Sequence, residues 1–253
     1  MNLGEAVRIG AHTILPAERR DIVLQTADGF ALVGDVALPP DGRPPAATLI
    51  LLHPLPTQGG NMDSHLFRKA TWRLPALADL AVIRLNTRGT TSARGRSEGT
   101  FTDGPAERAD ILAAIAWAQA AGLPKIWLVG WSFGAEIAIM HAAHLPVEGV
   151  IALAPPLIRA TSQHLVQWAA SRKPLYAIVP ENDDFLPPRP ARDRFAMTPH
   201  AKVIEAPGCG HLWVGEKAVQ LVLDHIVQIV RPGFGPLPTT WHGPYSTYRA
   251  KEA

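Results

Sequence analysis

The run Gly130-Trp131-Ser132-Phe133-Gly134 sets a single hydroxyl between two glycines, and that spacing is the first sign of chemistry in the chain. A serine hydroxyl is a weak nucleophile until a base takes its proton. Residues 126–129, Ile-Trp-Leu-Val, read as a buried strand, and residues 135–143 read as a helix. A strand, a tight turn and a helix in that order lift the serine above the end of a sheet. The turn is so sharp that side chains two residues to either side would collide, which accounts for both glycines. Ser132 is expected in a strained backbone conformation, with a helix N-terminus behind it that favours developing negative charge.

Ten histidines compete for the role of base. His211, in Pro207-Gly208-Cys209-Gly210-His211, directly follows the last candidate strand and so falls at the same end of the sheet as Ser132. His141 and His144 stand three apart on the helix after Ser132, but they lack a third metal ligand in sequence. An imidazole base needs a carboxylate to fix its tautomer. Glu181-Asn182-Asp183-Asp184-Phe185 offers Asp183, with Asp184 as the alternative. The loop after strand 149–153 holds Ala154-Pro155-Pro156-Leu157 and no acid. Two donors for an oxyanion are expected from the Phe133 amide and from the loop after strand 47–52, where Pro54 and Pro56 leave Leu55 as the available N–H. His53 reads as a brace for that loop. Trp131, Leu157 and Trp213, with Phe133, are the expected apolar walls of a substrate pocket. The lone Cys209 has no activating neighbour except His211.

The elements that must position these residues alternate. Residues 21–25 and 31–38 flank Asp28-Gly29, a hairpin signal. Short apolar runs follow at 47–52, 81–85, 125–129, 149–153, 175–179 and 202–205, rich in Ile, Val and Leu and without polar alternation, as strands covered on both faces should be. Helical stretches at 65–78, 106–121, 133–143, 161–171, 190–196 and 216–230 separate or follow them. In the second, Ile111, Leu112, Ile115 and Ala118 share one face. The pattern predicts an α/β fold: about eight mostly parallel strands, helices on both faces and an N-terminal antiparallel hairpin. Residues 1–19 are an expected extension, 20–231 the domain, and 232–253 an extended or disordered Pro/Gly-rich tail. Only about 20 residues separate the strands at 149–153 and 175–179, too few for a separate lid.

Composition narrows the classes. The chain has 253 residues, 47% of them hydrophobic, enough for a large core and too many for general disorder. Lys and Arg number 24 against 22 Asp and Glu, and a formal charge of +2 gives no reason to expect a nucleic-acid partner. One cysteine excludes an intrachain disulfide. The first twenty residues carry charges and no continuous apolar stretch, and no apolar run is long enough for a membrane span, so the expectation is a cytoplasmic protein without a membrane partner. No Gly-rich dinucleotide or phosphate loop occurs, and no cofactor or metal is called for.

Over about residues 20–230 the chain resembles the α/β-hydrolase superfamily, and within it small lidless bacterial serine hydrolases with a His-Pro-x-Pro…Gly-Gly-Asn-Met-Asp loop. The matching residues are His53, Pro54, Pro56, Gly59, Gly60, Asn61, Met62 and Asp63. Asn86-Thr87-Arg88-Gly89 and Ser97-Glu98-Gly99 resemble the family's second loop, lengthened around 90–94, and Pro180 replaces the glycine that usually opens the acid loop. The resemblance implies a reaction class more than a metabolite. The expectation is hydrolysis of a carboxylic ester or thioester of a small soluble substrate. Acyl transfer, perhydrolysis or peptide cleavage would use the same three residues. A non-catalytic binding protein on this fold is the alternative of another kind, and the unbroken serine, acid and histidine set argues against it.

Overall fold

Side chains alternate across the central strands, and both faces are buried. Ile50 and Leu52 enter one apolar cluster while Leu49 and Leu51 enter another on the opposite side. The structure, a computed structural model, describes residues 6–248. Its main sheet contains β1 (Glu18–Gln25), β2 (Ala31–Leu38), β3 (Ala47–Leu52), β4 (Leu80–Leu85), β5 (Ile126–Trp131), β6 (Gly149–Leu153), β7 (Leu175–Asn182) and β8 (Lys202–Gly210). Their order is β8-β7-β6-β5-β3-β4-β2-β1. The β1–β2 hairpin and the β2–β4 pair are antiparallel, and the other neighbours are parallel.

Among the described residues, six α-helices cover the sheet: α1 (His65–Ala78), α2 (Glu107–Ala120), α3 (Phe133–His141), α4 (Ser162–Ser171), α5 (Pro188–Phe195) and α6 (Glu216–Val230). Ile111, Ile137, Trp168 and Phe195 bring α2 to α5 onto one face, while Phe67 and Leu223 bring α1 and α6 onto the other. Parallel strands send all their carboxyl ends to one edge, where ligands of open α/β sheets bind. The short link between β6 and β7 holds only α4, whose Leu165 and Trp168 are fully buried. The Trp168 indole N–H donates to the Ile139 carbonyl at 2.8 Å, fastening α4 to α3.

Two expectations change in detail. Strands β7 and β8 run past residues 179 and 205, because they stay paired beyond Pro180 and meet again at Asn182 and Gly210 after a register shift. The Pro/Gly-rich tail is extended but not loose. Val7–Arg8 pairs with Thr240–Trp241, and Thr13–Ile14 pairs with Ser246–Thr247, so the two terminal segments clasp each other. Residues 1–5 and 249–253 of those expected segments lie outside the described residues. Among the described residues no helix is long and apolar enough to cross a membrane.

Candidate active site

Ser132 joins β5 to α3 with φ 53° and ψ −114°, a conformation that L residues rarely adopt. The turn holds because its amide donates to the Leu153 carbonyl at 2.9 Å while its carbonyl accepts the first helical N–H groups, from Ala135 and Glu136. The flanking glycines are required by backbone rather than by side chains. A Cβ on Gly130 would lie 2.2 Å from the Gly134 carbonyl oxygen, and one on Gly134 would lie 1.9 Å from that of Leu52.

His211 follows β8 and Asp183 follows β7, so topology alone brings both to the edge that carries Ser132. The His211 Nε2 lies 2.9 Å from Ser132 Oγ, and its Nδ1 lies 2.9 Å from Asp183 Oδ2. The other carboxylate oxygen of Asp183 accepts the Phe185 and Leu186 amides at 2.8 and 3.0 Å. Burial raises the Asp183 carboxyl, but the hydrogen bonds from His211, Leu186 and Phe185 outweigh it and hold the group below the usual carboxylate value. An ionised Asp183 keeps a proton on His211 Nδ1 and leaves the Nε2 lone pair facing the serine. Asp184, the alternative acid, makes no hydrogen bond to His211 and is exposed at the cleft.

Ser132 and His211 open into a cleft of about 690 Å³, lined also by Leu55, Trp131, Phe185 and Leu212. Of the expected walls, Trp131 belongs to it. Leu157 and Trp213 do not line it. Leu157 packs into the cluster beneath α3 and α4, and Trp213, turned inward at φ 52°, is fully buried with α1 and α6. Phe133 is likewise buried, packed edge-on against Phe101. Both reach the core because the chain beyond a strand end no longer alternates, so sequence distance from a site residue says nothing of side-chain direction.

Trp131 has a second role that sequence reasoning missed. Its indole N–H donates to the His211 carbonyl at 3.0 Å, and the His65 Nε2–H donates to the next carbonyl, Leu212, at 2.9 Å. The two rings meet edge to face at 5.6 Å. Two successive carbonyls of the histidine loop are thus held from one side. His65 also lines the cleft, and burial lowers its pKa, with Lys69 and Arg68 adding to the shift. The only signal for it was its position two residues after the Gly-Gly-Asn-Met-Asp run.

The Leu55 and Phe133 amides donate to no other described residue. Leu55 sits in a loop that is braced from below. The His53 ring is fully buried, its Nδ1–H donates to the Pro54 carbonyl at 2.7 Å, and its Nε2 accepts the Thr87 amide at 3.0 Å. Burial pushes this ring down to about 4, against weaker opposing pulls from the Pro54 carbonyl and Glu107, so it is neutral and a brace rather than a base. Gly60 folds over the same loop, where a Cβ would meet the Pro54 oxygen at 2.1 Å. The Asn86 side chain accepts the Met62 amide at 3.0 Å, and Arg84 spans Asp35 and Asp63.

The remaining candidates fall elsewhere. His141 Nε2–H donates to the Gly104 carbonyl at 2.9 Å. Cys209 is buried, and burial with the Glu181 carboxylate pushes its thiol up, away from the reactive thiolate. Glu136, fully buried on α3, accepts the Arg159 and Ala160 amides and pairs with the Arg159 guanidinium at 2.9 Å, which pins the loop after β6.

The fold and this strand–serine–helix edge define a class of enzyme scaffold. A family model described as alpha/beta hydrolase fold matches residues 47–177, and the chain belongs to that family. Among solved structures, it is similar to XC6422 from Xanthomonas campestris, described as an α/β serine hydrolase without lid. Identity is 25%, with 86% of this chain and 95% of that one covered and a TM-score of 0.69. The Pyrococcus furiosus esterase Pf2001 shares 18% identity, with 85% and 90% covered and a TM-score of 0.65. Est1E from Butyrivibrio proteoclasticus, solved with ferulic acid bound, shares 16%, with 82% and 97% covered and a TM-score of 0.68. No curated protein matches the chain.

Proposed function

We propose that this protein is a serine hydrolase that cleaves a carboxylic ester of a small substrate through an acyl-enzyme on Ser132. The observation that carries this reading is the unbroken line from Ser132 Oγ to His211 Nε2 and from His211 Nδ1 to Asp183, opening on a cleft. Ser132 Oγ attacks the ester carbonyl as His211 Nε2 takes its proton. The imidazolium that forms is stabilised by Asp183, which keeps its charge. The negative oxygen of the tetrahedral intermediate is held by the Leu55 and Phe133 amides, which are otherwise uncommitted and set by the loop brace and the helix start. His211 then gives the proton to the departing alcohol. Water, deprotonated by the same ring, attacks the acyl-enzyme, and His211 returns that proton to Ser132 Oγ as the acid departs. The similar Pf2001 is named as an esterase, which favours an ester over an amide.

A fluorophosphonate probe and a panel of nitrophenyl esters test this reading. Labelling and ester turnover should both disappear in Ser132→Ala. Labelling at another residue, or turnover that survives the substitution, would overturn it.

A further inference from the structure

The cleft carries one fixed charge. Besides the reacting pair, its lining includes neutral Gln58, Ser64, His65 and Trp131, no lysine or arginine, and a single carboxylate, Asp184. Asp184 is exposed and makes no hydrogen bond or ion pair with any other described residue, so no bonded partner neutralises it. The cations of α1 stand outside the lining: Lys69 and Arg73 share Glu216, the Arg68 guanidinium lies over the Trp72 ring at 5.3 Å, and the cleft feels Lys69 and Arg68 only through His65. Burial keeps His65 in its neutral form, and His211 must be neutral to act as a base. Asp183 adds a second negative charge behind His211. At the mouth, Phe185 and Leu212 leave 57% and 60% of their surfaces exposed, and Phe185 lies 4.5 Å from the His211 ring.

From this lining we infer that Asp184 is a specificity-determining residue, and that the site takes esters that are apolar and neutral or cationic while rejecting those with a carboxylate, sulfonate or phosphate near the scissile bond. This rests on the Ser132 hydrolase reading and adds the charge class of its substrate. An anionic substrate would enter a cleft with no cation in its lining to bond it and would lose hydration against Phe185 and Leu212. Like charges in such a site act mainly through exclusion of the wrong ligand, and the field of one exposed carboxylate is partly screened by salt. Such a charge is worth about three- to fivefold in kcat/KM per unit of substrate charge, or about tenfold between a cation and an anion of similar shape.

The test uses butyrate esters of choline, of its uncharged isostere 3,3-dimethylbutanol and of 2-hydroxyethanesulfonate, followed by pH-stat at low and high salt. The expected order of kcat/KM is choline, dimethylbutyl, sulfoethyl. Asp184→Asn should compress the choline-to-sulfoethyl ratio about tenfold, and the wild-type ratio should shrink with salt. Because a ratio is read, any general loss of activity in the variant cancels. A ratio unchanged in Asp184→Asn, or a preference for the sulfoethyl ester, would overturn the inference. If the dimethylbutyl ester is cleaved and that cleavage is lost in Ser132→Ala, the hydrolase reading stands even when the charge series is flat. If no ester is cleaved, that reading fails instead.

Discussion

Replacing His53 with glutamine should flatten the loss of stability that acid imposes on this protein. The ring is fully buried, and its pKa lies at about 4 in the fold, against an ordinary value of 6.5 when the chain unfolds. Between those values the folded state binds fewer protons than the unfolded state. Stability is therefore lost as pH falls through 6.5, and the loss is complete below the folded value. The full gap corresponds to about 3 kcal/mol, of which about 2 kcal/mol has already gone at pH 5. With a urea slope of about 2–3 kcal/mol/M, that is a midpoint shift of about 0.7–1 M. Burial also lowers the pKa of His65, His141 and His225, so the wild type has a steeper total slope. Those three cancel in the difference between wild type and variant. Urea titrations of both proteins at pH 7.5 and pH 5 read that difference directly. Parallel slopes would refute the linkage. The same substitution has a kinetic arm. The Pro54 carbonyl that His53 grips and the Leu55 N–H belong to one planar peptide, so a loosened carbonyl means a misaimed donor. Loss of one such donor costs about 10²–10³ in kcat. A partial loss within that range, with KM little changed, is expected.

Asp183→Asn should lower kcat by about 10⁴-fold. The Phe185 and Leu186 amides keep an oxygen on their side, so the new NH₂ faces His211 and forces the wrong ring tautomer. Asp184→Asn should cost under about tenfold on a neutral ester, and the reverse ranking would move the acid to Asp184. Gly134→Ala should abolish activity and lower the melting temperature, because its Cβ would stand 1.9 Å from a fixed strand carbonyl; near-wild-type melting would show that the turn can shift. Because α4 is packed into the core, short acyl chains should be favoured over long ones, with no rate jump above the solubility limit of the substrate. Preference for long-chain emulsions would overturn that expectation.

The parts legible in the sequence were those fixed by local period. Runs such as 47–52 and 149–153 are apolar on both faces because both faces are covered, and once they are ordered as parallel strands, residues following them must share one edge. That argument reached Ser132, Asp183 and His211 without any knowledge of side-chain direction. It failed where direction mattered. Leu157 and Trp213 both have positive φ and turn into the core, a backbone choice that no apolar pattern announces in a non-glycine residue. It failed again at the termini, where Val7–Arg8 and Thr240–Trp241 find each other across more than 230 residues and two residues of pairing leave no period to read. The extension of β7 and β8 was hidden by Pro180, Pro207 and Gly208, which look like loop although the strands remain paired through an irregular register.

The motif residues that most resemble a family signature touch no reacting atom, and their role follows from what an amide donor needs. A backbone N–H has no side chain to tune, so its direction must be set through its own peptide carbonyl and the loop on either side. Here His53 holds that carbonyl, Gly60 lets the chain fold over it, and the Thr87 amide holds His53 in turn. Asn86 ties Met62, so the loop after β4 clamps the loop after β3 at two points. Arg88, buried and bonded to both Asp110 and Asp28, anchors the clamp to α2 and to the β1–β2 turn. Under the proposed mechanism, removing any one of these should misplace the Leu55 donor while touching none of Ser132, His211 and Asp183 directly. In the proposed reaction, that is how a signature spread over two loops would serve the three residues that carry it.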